Sequence, residues 1–296
     1  MAGFTISPQG AFELKESVEF GFGQRHSEKF QGVMRMAFCL DGYAEQVGVV
    51  LRQDDPDGSA YGAVQGEVHG DADPASVEGQ VARILSLDHD GRPYEQIGDR
   101  DPVIGRLLAL RPGLRPPLFH SPYEAALWAV IATRRSTRSA STIRDRLARD
   151  HGRVFELAGR EVAAVPTPEA LLGIDEVEGL APDRVRRLHG IARFALDGGL
   201  DAERLLAMGP DAARDWLQQL EGIGPFYASL IVLRATGFTD VLVDEEPRLR
   251  ALVQRLYGLD HEPDPDQLAA IAEPWRPRRT WAAVLVRAAG PGSAAA

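Results

Sequence analysis

The fold is decided by the segment LQQLEGIGPFYA, residues 217–228. Two stretches with helical spacing of apolar residues, 211–220 and 225–236, meet there across Gly222-Ile223-Gly224. Glycines allow a sharp turn and leave backbone amides uncovered, and Ile223 can fill the joint between the two helices. Because amides at a helix N-terminus bind phosphate, the segment predicts a hairpin that grips the DNA backbone without reading its sequence. The alternative is an ordinary tight turn between helices.

An acidic segment, DVLVDEE at 240–246, follows about 20 residues beyond the hairpin. It leads into a helix predicted for 246–257, so a carboxylate at its end can face the same DNA groove as the hairpin. A fixed carboxylate in a dry pocket stabilises the oxocarbenium-like cation that forms when a base leaves deoxyribose, and it can orient the attacking water. The alternative is that these acidic side chains only complement the dipole of the next helix.

The first 70 or so residues are predicted to form a small antiparallel sheet. Apolar and polar residues alternate at 12–15, 33–40 and 46–51, and a further short strand is expected near 62–69. The apolar period changes to that of a helix between Pro74 and Leu87, so we expect this helix to pack on the sheet.

From about residue 90 onward the pattern is helical. One helix is marked by an N-cap at Ser121, by Pro122 and by a capping-box glutamate, Glu124. Further helices are expected at about 139–150, 168–173, 182–197, 201–207, 211–220, 225–236, 246–257, 265–272 and 277–288. The predicted fold class is α+β: a β-rich domain at 1–90, an all-α domain at 91–290 with the hairpin at 211–237, and a disordered tail at 291–296.

Composition excludes several classes of protein. The single cysteine, Cys39, excludes a disulfide framework, an iron–sulfur cluster and a cysteine-based zinc site, and no two histidines have the i,i+4 spacing of metal ligands. We expect a cytoplasmic protein, because neither a signal-peptide pattern nor a run of about 20 apolar residues is present. The net charge of −10 argues against nucleic acid, but arginines cluster at 134–138, 184–187 and 276–279 and can form one basic face.

Further motifs accompany the hairpin: PGLRP at 112–116, SPYEAA at 121–126 with Trp128, Gly179-Leu180 followed by VRRL at 185–188, and Trp275-Arg276-Pro277 with Arg279 and Trp281. Together they resemble the helix-hairpin-helix DNA glycosylase superfamily, in particular the bacterial 3-methyladenine-DNA glycosylase II family. The resemblance covers nearly the whole chain. It implies a TATA-binding-protein-like N-terminal domain and a monomer that removes damaged, alkylated purines from double-stranded DNA without a cofactor or metal.

The resemblance also implies catalytic residues. Relatives that cleave the DNA strand carry a lysine two residues after the second glycine; Phe226 stands there in this chain, so water is the expected nucleophile. The catalytic carboxylate falls on Glu246 in the register of the 3-methyladenine subfamily, which a matching Arg250 supports, or on Asp244 in the endonuclease III register. Glu246 is favoured, and Asp244 stays open.

DNA contacts are expected from the hairpin residues, from Phe226 and Arg250, and from Thr133 and Arg134. At the last two positions relatives carry a glutamine and a side chain wedged into the duplex. The damaged base is expected to meet a pocket formed by Tyr123, Trp128, Tyr227, Trp281 and Arg287. Packing in the core is the alternative for each aromatic residue. Arg287 replaces an aromatic residue that stacks on the base in the family, so cation–π attraction to an alkylated purine is reduced.

A second function from another class is left open, namely a DNA-lesion-binding protein of the same fold with little or no catalysis. The altered pocket and the shifted acid would then reflect lost chemistry. A sequence-specific regulator is disfavoured, because the chain shows no helix-turn-helix signal or basic region.

Overall fold

The computed structural model describes residues 2–21, 29–54, 60–243 and 246–290. Its first part is a four-stranded antiparallel sheet in the order β1-β4-β3-β2, formed by β1 (Ala2–Ile6), β2 (Met34–Cys39), β3 (Gln46–Gln53) and β4 (Val64–His69). In the register, Val49 on β3 is opposite Met36 on β2 and Val68 on β4. These three side chains share the face of the sheet that the core covers.

Two helices complete this domain, α1 (Leu14–Phe20) and α2 (Pro74–Ile84). The carboxylate of Asp73 caps α2 and accepts hydrogen bonds from its first free amides. On the side of α2 that faces the sheet, Val77, Val81 and Ile84 are completely buried. The structure therefore confirms the predicted helix and its packing on the sheet.

The strand predicted at 12–15 is wrong, because this segment leads into α1. Phe12 and Leu14 are fully buried, two positions apart, as they would be in a strand. The Gln53 side chain, and not pairing with another strand, binds their backbone. The Leu14 amide donates to Gln53 Oε1 at 2.7 Å, and Gln53 Nε2 donates to the Phe12 carbonyl at 2.8 Å. Alternation of apolar residues cannot distinguish these two arrangements.

The rest of the chain is mainly helical, which confirms the α+β class. The helices are α3 (Arg92–Glu95), α4 (Ile97–Arg100), α5 (Pro102–Leu110), α6 (Pro122–Ala132), α7 (Thr137–His151), α8 (Pro168–Leu172), α9 (Pro182–Leu196), α10 (Ala202–Met208), α11 (Pro210–Leu217), α12 (Pro225–Ala235), α13 (Pro247–Tyr257), α14 (Pro265–Ile271) and α15 (Arg279–Ala288). Within the described ranges, none of them combines the length and apolar character needed to cross a membrane. The tail at 291–296 lies outside the described residues.

The second domain is not purely helical, because it contains an antiparallel hairpin of β5 (Val154–Leu157) and β6 (Arg160–Ala163). Phe155 and Leu157 on this hairpin pack with Ala37 and Val50 on the outer face of the first sheet. This hairpin was not predicted from the sequence, because its apolar partners lie on distant strands.

The helices form two apolar clusters. The first surrounds α6, whose residues are buried on nearly every side, and includes α7, α9, α11 and α12. The second includes α5, α13 and α15 together with Trp275. Residues 241–243, after α12, lie between the clusters, since Val241 and Val243 pack on the first and Leu242 packs on the second.

Arg115 joins the two domains. Its side chain is fully buried and donates hydrogen bonds of 2.5 to 3.1 Å to five backbone carbonyls, those of Gln9, Gly10, Ala11, Ser86 and His89. Its Cζ also lies 5.6 Å from the ring centre of Trp281 on α15. Burial lowers the pKa of Arg115 to about 10. One guanidinium therefore holds together the N-terminal segment, the loop after α2 and the last helix.

A buried carboxylate lies where β2, α6 and α7 meet. Ser121 caps α6 as predicted, but the carboxylate of Glu124 bonds outside this helix end: Oε1 accepts from the Cys39 amide at 3.3 Å. Its Oε2 lies 3.1 Å from His120 Nδ1 and 3.5 Å from Arg144 Nη2. Burial acts to raise the pKa of Glu124, but the charge and hydrogen bond of His120, the charge of Arg144 and the Cys39 amide together lower it.

We expect Arg115→Lys to lower the free energy of unfolding by about 3 kcal/mol, because an ammonium group cannot supply all five hydrogen bonds and leaves buried carbonyls unpaired. Urea denaturation followed by circular dichroism measures this change. The matched control is Arg149→Lys at an exposed position, which should leave the midpoint unchanged. A wild-type midpoint for Arg115→Lys would contradict the role assigned to Arg115.

We expect Glu124→Gln to destabilise the protein at pH 7 by about 3 kcal/mol, because losing one member of a buried ion pair leaves its partners uncompensated. Since the pKa of Glu124 is lowered on folding, its contribution is complete above the unfolded pKa of about 4.3 and is lost as the pH falls through the folded pKa. Urea titrations at decreasing pH should therefore show that the free energies of unfolding of wild type and variant converge. Glu176→Gln, at an exposed position, should have the free energy of unfolding of wild type at every pH. If the difference in free energy of unfolding between wild type and Glu124→Gln stays constant into strong acid, the lowered pKa of Glu124 is not its cause.

Candidate functional site

The predicted hairpin is present between α11, which ends at Leu217, and α12, which begins at Pro225. Gly222 has φ 94° in the turn, and a Cβ at this position would lie 3.1 Å from Cδ of Arg187. The left-handed conformation therefore requires glycine, and a side chain there would also press on Arg187. Ile223 is 4% exposed and packs into the first helical cluster. Its side chain fixes the joint between the helices and offers no surface to DNA.

The start of α12 is open to solvent. Gly222, Gly224, Pro225 and Phe226 are exposed, and no side chain of the described residues caps this end of the helix. Gly224 has an ordinary φ of −85°, and a Cβ there would meet nothing within 4 Å. The uncovered amides and the positive end of the helix dipole can therefore receive a phosphate.

Arginines of α9 flank the hairpin. Glu221 Oε1 accepts from Arg186 Nη2 at 2.9 Å and from Arg187 Nε at 3.2 Å, and these hydrogen bonds lower the pKa of Glu221. Arg187 also lies 3.7 Å from Asp183. Together with Arg184, the first two turns of α9 bring three arginines beside the hairpin, paired in part with Asp183 and Glu221.

The loop after α6 presents Arg134 to solvent. Arg134 is exposed and has φ 57°, a left-handed conformation that is uncommon for arginine. The Thr133 hydroxyl donates to the Ala129 carbonyl at 2.6 Å within α6, so it is already engaged. Arg135 Nη2 anchors the other side of the loop by donating to the Gly179 carbonyl at 2.6 Å.

Arg184 holds the start of this loop. Its Nη1 donates to the Val130 carbonyl at 2.5 Å and its Nη2 to the Thr133 carbonyl at 2.9 Å. Arg184 therefore connects α9, which flanks the hairpin, to the loop that carries Arg134. The sequence shows the arginine cluster but not this contact, because its partners are more than 50 positions away.

The end of α12 and the start of α15 are both bound to segments near the first domain. Near the end of α12, Arg234 Nη2 donates to the Pro117 carbonyl at 2.7 Å, and just beyond it the Gly237 carbonyl lies 3.2 Å from His89 Nε2. At the start of α15, Arg278 Nη2 donates to the Asp90 carbonyl at 2.8 Å. The end of α12 and the start of α15 therefore both lie next to the first domain. By the helical rise, the start of α12 lies about 16 Å along its axis from these contacts, and the Arg287 end of α15 lies about 13 Å along its own axis.

Two carboxylates pair with arginines near opposite ends of α15. Near its start, Asp240 pairs with Arg279 at 2.9 Å, and at its end Glu246 forms an ion pair with Arg287. Glu246 is the N-cap residue of α13, and its side chain makes no capping hydrogen bond. The structure thus brings together two residues that the sequence assigns to the site, one as the acid and one as part of the pocket.

Two other predicted site residues have different outcomes. Asp244 lies outside the described residues. Arg250, expected to contact DNA, uses its Nε to donate to the Pro263 carbonyl at 2.7 Å and so holds the loop before α14. Its guanidinium is half-buried, which favours a structural role over a DNA contact.

Three of the four aromatic residues expected in the pocket are core residues. Tyr123 is fully buried and donates to the Pro166 carbonyl at 3.0 Å, and Trp128 is buried in the first helical cluster. Trp281 is buried beside Tyr94 and below Arg115, next to the first domain. Their expected stacking on a base is wrong for this structure, because packing leaves each ring without an accessible face. Tyr227 is partly exposed.

Tyr227 meets Phe226 edge to face at 5.2 Å, and the Phe226 side chain is 67% exposed. Phe226 and Tyr227 are therefore the aromatic groups beside the hairpin that a nucleobase can reach.

No family model matches the chain. Among curated proteins, it is 31% identical over 211 residues to the "probable bifunctional transcriptional activator/DNA repair enzyme AlkA" of Mycobacterium tuberculosis. That alignment covers 68% of this chain and 40% of the relative, so the chain spans less than half of the mycobacterial protein. It is also 22% identical over 202 residues to the DNA-3-methyladenine glycosylase of Bacillus subtilis, with 67% of each protein covered.

Solved structures share the complete architecture. The 3-methyladenine DNA-glycosylase from Archaeoglobus fulgidus matches with a TM-score of 0.74 over 96% of both chains, at 22% identity. The 8-oxoguanine glycosylase/lyase of Clostridium acetobutylicum, solved with double-stranded DNA, matches with a TM-score of 0.64 over 95% of this chain and 96% of that one, at 15% identity. Taken with the hairpin and the curated relatives, these matches assign the family: the chain belongs to the helix-hairpin-helix DNA glycosylase superfamily.

Proposed function

We propose that the protein is a monofunctional DNA glycosylase that hydrolyses the N-glycosidic bond of alkylated bases, chiefly purines, in double-stranded DNA. The name of its relative from Bacillus subtilis points to alkylated bases, and the fold neighbour from Clostridium acetobutylicum was solved with duplex DNA. Acting as a monomer without a cofactor is part of the same proposal.

One observation carries the proposal: the helix that follows the glycine hairpin begins with exposed amides that no side chain of the described residues caps. As part of the proposal we place the Glu246 carboxylate on the same side as this phosphate grip. A phosphate grip and a carboxylate on one side are what hydrolysis at a sugar requires. Phe226 occupies the position where a lysine would form a Schiff base, so water is the nucleophile.

The steps follow from these positions. The α12 amides hold a phosphate, and Arg134 enters the duplex as the damaged nucleotide leaves the stack. The bond from C1′ to the base nitrogen then breaks, and both of its electrons go to the base. Glu246 stabilises the positive charge that develops on the sugar and takes the proton of the water that adds to C1′. The products are a free base and an abasic site.

A specific contact favours a second candidate, a lesion-binding protein with weak catalysis. Arg287 forms an ion pair with Glu246, and a neutralised carboxylate stabilises a sugar cation less than a free one does. In this alternative the protein binds damaged DNA and releases no base.

We expect Glu246→Gln to lower base release from methylated duplex DNA by about 10²- to 10³-fold, the size of effect typical of removing one preorganised electrostatic group. Asp244→Asn should retain activity. Free-base release measured under single-turnover conditions checks both variants, and binding to abasic-site DNA shows that each variant still recognises its product.

Three outcomes would contradict parts of the proposal. Loss of release in Asp244→Asn alone would assign catalysis to Asp244. Wild type that binds abasic DNA but releases no base would establish the lesion-binding alternative. A covalent protein–DNA adduct trapped with borohydride would show a Schiff base and overturn monofunctional hydrolysis.

We expect Gly224→Ala to weaken binding to duplex DNA by about tenfold, because a methyl group there covers the amides that receive a phosphate. The melting temperature should not change, since φ at Gly224 suits alanine and the added carbon meets nothing within 4 Å. Gly79→Ala is the matched control, because its added carbon also meets nothing but lies on α2. Fluorescence anisotropy at several salt concentrations measures affinity, and the salt slope should fall by about one for Gly224→Ala. Equal affinities for the two variants would refute the phosphate grip.

A further inference from the structure

The ion pair of Glu246 and Arg287 lies where the proposed reaction takes place. Arg287 Nη1 donates to Glu246 Oε1, and the two side chains are 28% and 18% exposed. Among the described residues this is the only hydrogen bond of the Arg287 guanidinium, although the group has five N–H donors. The remaining donors are thus available to a ligand beside the carboxylate.

Two other arginines near this pair, Arg111 and Arg250, are bound to other partners. Arg111, whose Nη1 lies 3.5 Å from the Ala288 carbonyl at the end of α15, forms an ion pair with Glu16 at 2.8 Å. Arg250 on α13 donates to the Pro263 carbonyl. Arg287 is therefore the cation that the structure holds directly against Glu246.

Alkylated bases fall into two electrostatic classes. A purine alkylated on a ring nitrogen, such as 7-methylguanine, carries a fixed positive charge. When its bond to C1′ breaks, the bonding electrons cancel that charge and the base leaves as a neutral molecule. An uncharged alkylated base, such as ethenoadenine, receives the same electrons and leaves as an anion until water supplies a proton.

A guanidinium beside the base has opposite effects on the release of these two classes of base. It repels the cationic base already in the bound state. It stabilises the departing uncharged base, because a hydrogen bond from a cation strengthens as negative charge develops on the acceptor. An aromatic ring at the same position would do the reverse, since its face attracts cations.

We propose that Arg287 determines the specificity of the site and directs it toward uncharged alkylated bases that carry a hydrogen-bond acceptor, and away from purines with a fixed positive charge. This inference rests on the proposed glycosylase function. Nη1 of Arg287 stays on Glu246 while another N–H donates to the base. As the C1′–N bond breaks, the electron pair moves to the base beside Arg287, water adds to C1′ and gives a proton to Glu246, and the base takes a proton from solvent.

The test compares single-turnover release of ethenoadenine and of 7-methylguanine from otherwise identical duplexes. Arg287→Gln should lower ethenoadenine release by about 100-fold, as expected for losing one charged donor, and should raise 7-methylguanine release, because the variant removes the repulsion of a cationic base. Arg287→Lys keeps the positive charge, so its ratio of the two rates should lie closer to wild type than that of Arg287→Gln.

Wild type provides a second measurement that does not depend on the folding of a variant. Free ethenoadenine should inhibit base release at lower concentration than a permanently cationic dialkylated guanine does. Stronger inhibition by the cationic purine would overturn the proposal.

The outcomes separate this proposal from the proposed function. If wild type releases neither base, the glycosylase function fails. If wild type releases both and Arg287→Gln slows both equally, the pair is only structural; the specificity proposal is then wrong and the glycosylase function stands. A shift of the rate ratio toward 7-methylguanine in Arg287→Gln, reduced in Arg287→Lys, supports the role of Arg287.

Discussion

The arrangement of this molecule depends on the burial of one cation, Arg115. A charged group without water is tolerated only if every donor finds an acceptor. Here the acceptors are carbonyls of two separate segments, 9–11 and 86–89, so both must converge on the guanidinium. Trp281 lies against the same group and places the start of α15 at this joint. The position of the last helix relative to the sheet follows from that requirement.

The candidate site is built at the far ends of elements anchored at that joint. The end of α12 and the start of α15 both contact the segment just after α2, at His89 and Asp90. One helix thereby carries the open amides next to Gly224, and the other carries Arg287 to the Glu246 carboxylate. Arg184 adds a third connection, because it joins the helix beside the hairpin to the loop that presents Arg134. The polar functional groups are therefore held by backbone contacts distant from them.

Local signals were sufficient for the change from a sheet to helices along the chain and for the hairpin at Gly222. The turn at Gly222 requires glycine through its own φ, and Ile223 is apolar between two exposed glycines, so each can be recognised without a partner. Burial of single side chains could not be predicted in this way. Tyr123 and Trp281 have the residue type of a base pocket, but they pack in the core because distant segments cover them. The β5–β6 hairpin was missed for the same reason.

By itself, the sequence determined that a small antiparallel sheet precedes a helical domain with a glycine hairpin, and that phenylalanine stands in place of the lysine that a lyase needs. Period, turn residues and residue identity are local properties, so they can be read from the chain. Only the tertiary structure decided that Arg287 pairs with Glu246 and that Arg250 is bound to a loop. Those contacts depend on how α13 and α15 pack. From the sequence alone a charged side chain has several possible partners, and only the packing of the helices selects one of them.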